Sequence, residues 1–197
     1  MARLIFDDLL IKGVKSGQIP ARTKEAREWY RNSAKGIKKV NESTLMKTDV
    51  DRLKNRVAAG SMYLFAYDPK YKKTLPYYDN LPLIFPFKKV EGGFLGINLH
   101  YLPLNLRAKL MDGLYEYTNN TRYDETTKIN LSYGLLNKAA KLRYFKPCIK
   151  HYLTEHVRSR FMYIHPTEWD MALFLPLARF EGATQREVWE DSRRKIF

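Results

Sequence analysis

Apolar and polar positions change their period twice along this chain, from helical spacing before residue 60, to strand-like runs in residues 60–104, and back to helical spacing afterwards. In the first stretch, Leu4, Ile5, Leu9 and Leu10 predict a short amphipathic helix ending near Gly13, and the following GVKSGQIP reads as a hinge-like linker. Ala26, Trp29, Tyr30, Ile37 and Val40 mark the inner face of a second helix, whose other faces carry Arg22, Arg27, Arg31, Lys35 and Lys38. Leu45, Met46, Val50, Leu53 and Val57 keep the helical period in a third, with Asp49 and Asp51 early and Arg52, Lys54 and Arg56 late, as the helix dipole favours.

Past Gly60 the side chains become aromatic and β-branched. SMYLFAY predicts a buried strand, and DPKYKKTLPYYDN a loop carrying Lys70, Lys72 and Lys73. LPLIFPF and FLGINLHY are two further strands joined by KKVEGG, with Pro82 and Pro86 pushing the first toward a sheet edge or a bend. After Pro103, the spacing of Leu106, Leu110, Met111, Leu114 and Tyr117 predicts a helix ending before Asn119 and Asn120. Another is predicted over residues 126–141, with Ile129, Tyr133, Leu136 and Ala140 inward. RYFKPCIKHYLTEHV fits helix and strand equally, whereas RSRFMYIHP reads as extended. Thr167 with Asp170 and Thr184 with Glu187 have capping-box spacing, so helices are expected from near Glu168 and Gln185, the last presenting Val188, Trp189 and Ile196. The sum is an α+β fold: a small curled antiparallel sheet or a barrel of the Src-homology-3 kind, surrounded by helices. Residues 60–197 form its compact core, and residues 1–59 a basic helical arm.

Charge adds a functional dimension to this plan. The 35 Lys and Arg residues outnumber 21 Asp and Glu, for a net charge of +14. Half of that excess falls before residue 61, and between Lys12 and Lys39 nine cations face only Glu25 and Glu28. Such a stripe either keeps a protein soluble or neutralises phosphates. A basic amphipathic helix also suits a membrane surface, but Ser33 and Gly36 interrupt its small apolar face; Trp29 and Tyr30 suit a protein groove better. The single cysteine, Cys148, leaves no intramolecular disulfide, Asp7 and Asp8 interrupt any apolar leader, and no apolar run approaches the ~18 residues of a membrane span. A soluble protein folding in a reducing compartment is expected.

Reactive constellations are sparse. GVKSGQIP lacks the ending of a phosphate loop, and GGFLG sits between strands. Cys148, His151 and His156, with His100 and His165 further off, lack the paired spacing of a zinc site, and no cofactor is expected. Asp112 with Glu116, and Asp124 with Glu125, are carboxylate pairs that a magnesium-dependent nuclease could use, although helix faces and caps produce the same spacing; Lys88 and Lys89 near Glu91 lack the aspartate that a nuclease strand needs. More suggestive is the alternation of Tyr67, Tyr71, Tyr77 and Tyr78 with the loop lysines, repeated where Arg143, Tyr144, Phe145, Lys146, Lys150, His151 and Tyr152 follow one another. Exposed rings beside cations stack bases while ammonium groups meet phosphates, and the competing reading puts most of these rings in the core.

The strings YLFAYDPK, LPYYDNLPLIFPF, GGFLGINLHYLP, LRAKLMDGLY, RYFKPCIKHYL and ALFLPLARFEGA resemble a family of DNA end protectors and virion proteins of T-even-type tailed phages, over about residues 28–193. The resemblance implies a phage protein that handles DNA ends around packaging or sits in the particle, and it carries no catalytic motif over. The resulting expectation is a non-enzymatic protein that binds duplex DNA ends without sequence preference, in the host cytoplasm during infection or in the virion. Arg22, Arg27, Arg31, Lys35, Lys38, Lys39, Lys70, Lys72, Lys73, Arg143 and Lys146 are its phosphate-binding candidates. Its expected partners are DNA and other phage structural or packaging proteins, with no membrane. A structural adaptor of head, neck or tail is the alternative, and a divergent metal-dependent nuclease the third reading.

Overall fold

A computed structural model of the chain describes residues 4–19, 23–47, 50–118 and 120–196. The chain begins with helices α1 (Ile5–Lys15), α2 (Lys24–Lys35) and the short α3 (Glu42–Lys47). Helix α1 runs on past Gly13 to Lys15, and the glycine is what lets α2 pack close, because a Cβ placed there would lie 1.9 Å from the Tyr30 hydroxyl. Helix α2 opens on Thr23, whose hydroxyl accepts from the Ala26 amide at 3.1 Å.

Of the expected third helix, Glu42–Lys47 is helical, and the helix does not carry on through Val57. Val50–Arg52 is a 3₁₀ turn, and Leu53–Lys54 (β1) is a sheet-edge strand paired with residues 161–162, so Leu53 uses its backbone in a ladder rather than a helix. Asp49 lies outside the described residues. Strands β2 (Met62–Leu64), β3 (Tyr78–Asp79), β4 (Leu83–Val90) and β5 (Gly93–Asn98) follow, then α4 (Leu104–Thr118) and α5 (Glu125–Lys141). The segment that fitted helix and strand equally is both: a 3₁₀ stretch at Arg143–Cys148 leads into β6 (Ile149–Leu153). Strand β7 (Phe161–Ile164), the single-turn α6 (Trp169–Ala172), β8 (Phe180–Glu181) and α7 (Gln185–Ile196) complete the order.

The main sheet is antiparallel with strand order β1-β7-β2-β4-β5-β6, while β3 and β8 form a separate ribbon. Because β1 and β6 end the order without pairing to each other, the sheet is open, and the Src-homology-3-like barrel is not formed. Pro86 sits in central strand β4 at a register shift between Pro86 and Lys88; it acts as a bend, not an edge marker. Strand alternation sends Met62, Leu64, Leu83 and Phe85 to a face covered by helices, and Tyr63, Phe65, Ile84, Phe94, Tyr152 and Phe161 to a second, largely aromatic cluster. Within that second cluster Phe65 meets Tyr152 and Phe161 edge-on, with ring centroids 5.3 and 5.0 Å apart. Leu4, Phe6, Leu9, Tyr30, Ala34, Val40 and Leu45 share the first cluster with the sheet, so residues of the expected arm contribute directly to the main core.

Candidate nucleic-acid interface

The basic residues divide by burial. Arg27 and Arg31 turn inward from α2: their Nε groups donate to the two oxygens of Asp170 at 2.8 and 2.7 Å, and their Nη2 groups to Asp112 Oδ1 at 2.9 and 2.8 Å. Arg27 also lies 4.1 Å from the centroid of the Tyr115 ring. Both guanidinium groups are buried, and although burial opposes the charge of Arg31, Asp170 and Asp112 raise its pKa above the usual value. These two arginines are therefore committed to carboxylates of α4 and α6 and are not surface cations. Asp170, whose spacing from Thr167 suggested a cap, is their shared acceptor; in its stead Glu168 accepts from the His165 backbone amide at 3.1 Å and from Arg52 at 2.5 Å. The second expected capping box does form, with Glu187 accepting from both the amide and the hydroxyl of Thr184.

Lys35, Lys38, Lys39, Lys70, Lys72, Lys73, Arg143 and Lys146 are exposed, and Arg22 lies outside the described residues. Lys35 Nζ stands 4.9 Å from the Phe174 ring centroid at the end of α2. Lys72 holds Asp68 at 2.8 Å, which lowers the Asp68 pKa and raises that of the lysine. The arm lysines and the loop lysines line different hollows: Lys39 borders one with Leu4, Asp8 and Leu45, and Lys70 another with β6. A groove of about 670 Å³ brings Arg56, Lys88 and Lys89 beside Phe87, Phe94 and Tyr133, and none of its described lining residues is acidic.

The Lys70 hollow is a cavity of about 330 Å³ between the lysine loop and β6, walled by Tyr67, Tyr71, Tyr77, Tyr78, Tyr101 and Tyr152. Lys150 Nζ lies 3.9 Å from the Tyr101 centroid, and burial brings this ammonium's pKa down to about 8. Asp79 and Asn98 reach the cavity from a buried network. Asp79 Oδ1 accepts from the amides of Leu81 and Arg179, and Oδ2 from Asn98 Nδ2 at 3.0 Å and the His100 imidazole at 2.7 Å. The His100 pKa is lowered by burial against the pull of Asp79, and that of Asp79 is lowered by His100 and Asn98 despite burial, so the pair is a carboxylate holding a neutral imidazole. With no exposed surface, His100 tethers the β3–β8 ribbon to the main sheet and meets no substrate. Part of its sequence signal was available: Asn98 and His100 are polar positions alternating with Ile97, Leu99 and Tyr101, whereas Asp79 sits in a stretch that reads as a polar loop. Nothing in the local sequence distinguished half-buried Lys150 from exposed Lys146 and His151.

No group of three or more His, Cys, Asp or Glu suited to a metal occurs among the described residues, and no helix among them is long and apolar enough to cross a membrane. Neither the curated proteins nor the solved structures contain a match to the chain. A family model described as Phage T4 terminal DNA protecting protein matches residues 9–193, from within α1 to within α7. That span takes in the open sheet, the lysine loop and the tyrosine-walled cavity, and the chain belongs to the family of the phage T4 terminal DNA protecting protein.

Proposed function

We propose that the protein occupies the ends of duplex DNA without reading base sequence and without catalysing a reaction, so that protection is steric. The family description supplies the end, and the observation that carries the binding mode is the partition of cations. Arg27 and Arg31 are neutralised internally, while Lys35, Lys38, Lys39, Lys70, Lys73, Arg143 and Lys146 remain at the surface and the Arg56–Lys88–Lys89 groove has no described acidic lining. Mobile ammonium groups meeting phosphates give affinity without a base code.

Most of the carboxylates that a magnesium-dependent nuclease would gather have other duties. Asp112 and Asp170 hold the two arginines, Asp124 accepts from the Thr127 amide at 2.7 Å as the cap of α5, and Glu125 pairs with Lys128 at 2.8 Å. The reading puts the protein in the host cytoplasm during infection, with carriage in the virion and contacts to packaging proteins as its extension. A role as a virion adaptor is the second reading, favoured by Ile11, Val14 and Ile19, which stand exposed near the start of the chain.

The test is exonuclease digestion of blunt linear duplexes of several lengths. Protection that saturates at a fixed protein count per end supports the reading. Protection that grows with duplex length, or magnesium-dependent cleavage by the protein alone, overturns it.

A further inference from the structure

We propose that the tyrosine-walled cavity between the lysine loop and β6 receives the terminal nucleotide of a DNA strand, its base among the rings and its 5′-phosphate between Lys70 and Lys150. The proposal rests on the end-binding reading and gives it a specific seat.

Size is the first argument. At about 330 Å³ the space lies near the lower bound of small-molecule sites, which suits one nucleotide and excludes a duplex. Its chemistry is the second. Tyr67 is buried, and its hydroxyl accepts from the Leu153 amide at 3.1 Å; Tyr152 is buried, and its hydroxyl accepts from Asn98 Nδ2 at 3.0 Å. Each hydroxyl has thus used its oxygen as an acceptor and retains a proton to donate to a base carbonyl or a phosphate oxygen. Exposed Tyr71 offers a stacking face beside Lys70, whose Nζ is 5.7 Å from the ring centroid, and Lys150 supplies a second cation over Tyr101. The Asp79 carboxylate on the wall keeps its negative charge, which its four donors disperse without cancelling, and the two lysines that line the same cavity offset it.

Topology is the third argument. An interior nucleotide has chain on both sides and must be unstacked and flipped out of the duplex to enter such a pocket, whereas a strand terminus reaches the space walled by the Asp79 network and β6 by fraying alone. A cavity that termini enter more readily distinguishes an end from a duplex body without reading sequence.

The experiment measures affinity for three duplexes of one sequence: a blunt duplex with 5′-phosphates, the same with 5′-hydroxyls, and a dumbbell closed by hairpins at both ends. Deoxyadenosine 5′-monophosphate serves as a competitor. The phosphorylated end is expected to bind about tenfold more tightly than the hydroxyl end, the scale of one charge-assisted hydrogen bond. Lys150→Met abolishes that preference, and Tyr71→Ala, at an exposed ring, weakens both ends and the competition by the mononucleotide; its surface position keeps the test independent of the folding of the Lys150 variant. If linear duplexes outbind the dumbbell but neither the phosphate, the variants nor the mononucleotide matters, the cavity proposal fails and end binding stands. If the dumbbell binds as well as the linear duplexes, or no duplex binds, both fail.

Discussion

Replacing Asp170 by asparagine perturbs the contact that fixes α2 to the rest of the fold. The aspartate gives one oxygen to Arg27 Nε at 2.8 Å and the other to Arg31 Nε at 2.7 Å, with its side chain only 9% exposed. Asparagine keeps one acceptor and turns an NH₂ group toward the second guanidinium, leaving two buried cations with Asp112 as their remaining counter-charge. Removing one partner of a buried ion pair costs roughly 3–5 kcal/mol, and because Asp112 still holds both Nη2 groups the lower end applies, about 3 kcal/mol. For a domain of this size that is a fall in Tm of about 6–12 °C. Asp112→Asn touches the same arginines from a side chain 57% exposed, where solvent screening limits the loss to less than about 1 kcal/mol. Thermal or urea unfolding of the two variants side by side is the assay. An Asp170→Asn cost below that of Asp112→Asn would refute the reasoning, because it would mean that Arg27 and Arg31 are not held internally and are available to phosphate.

Other consequences concern the buried ionisable groups and the surface lysines. Burial lowers the His100 pKa, so on acidification the unfolded chain takes up a proton that the folded protein refuses; stability falls as pH drops below about 6.5. Asp79, with its own pKa lowered, loses its contribution only at much lower pH, so His100→Asn should flatten the slope between about pH 6.5 and 5 in pH-dependent unfolding, and an unchanged slope counts against the assignment. Burial pushes the Cys148 thiol up to about 12, so the native protein resists alkylation at mildly alkaline pH and reacts once unfolded; rapid native labelling, followed by mass spectrometry, would contradict this. The triple substitution of Lys35, Lys38 and Lys39 by glutamine should reduce the steepness of log K against log salt by about 2.7 if all three meet phosphates of duplex DNA, and an unaltered slope would exclude them from the interface.

Local patterning disclosed the elements better than their assembly. The hairpin of β4 and β5 was legible in KKVEGG, where Gly92 adopts φ of 72° at the turn, and α4, α5 and α7 were legible in their apolar spacing and, for α7, its cap. Leu53 was misread because one apolar residue satisfies a helical period and an edge strand equally, and only pairing with Met162 decides between them. Gly13 looked like a helix terminus because its value, room for Tyr30, is a tertiary fact. The same limit applies to the basic helix: Arg27 and Arg31 have the spacing of a phosphate-facing stripe, and their carboxylate partners lie 81 to 143 residues away in sequence. The tyrosine–lysine alternation marked a loop that lines the cavity, yet it could not show that Tyr101 and Lys150 line the same space.

The central claim, that exposed cations seat this protein on DNA ends without reading sequence, is tested most directly by salt titration of its binding to blunt linear duplexes with unrelated terminal sequences. The account predicts a slope of log K against log salt of about −2.7 or steeper, as three or more phosphate contacts require, with affinities that agree among the end sequences. A flat slope, or one end sequence preferred by more than about tenfold, a discrimination of the size that a specific base contact provides, would contradict it.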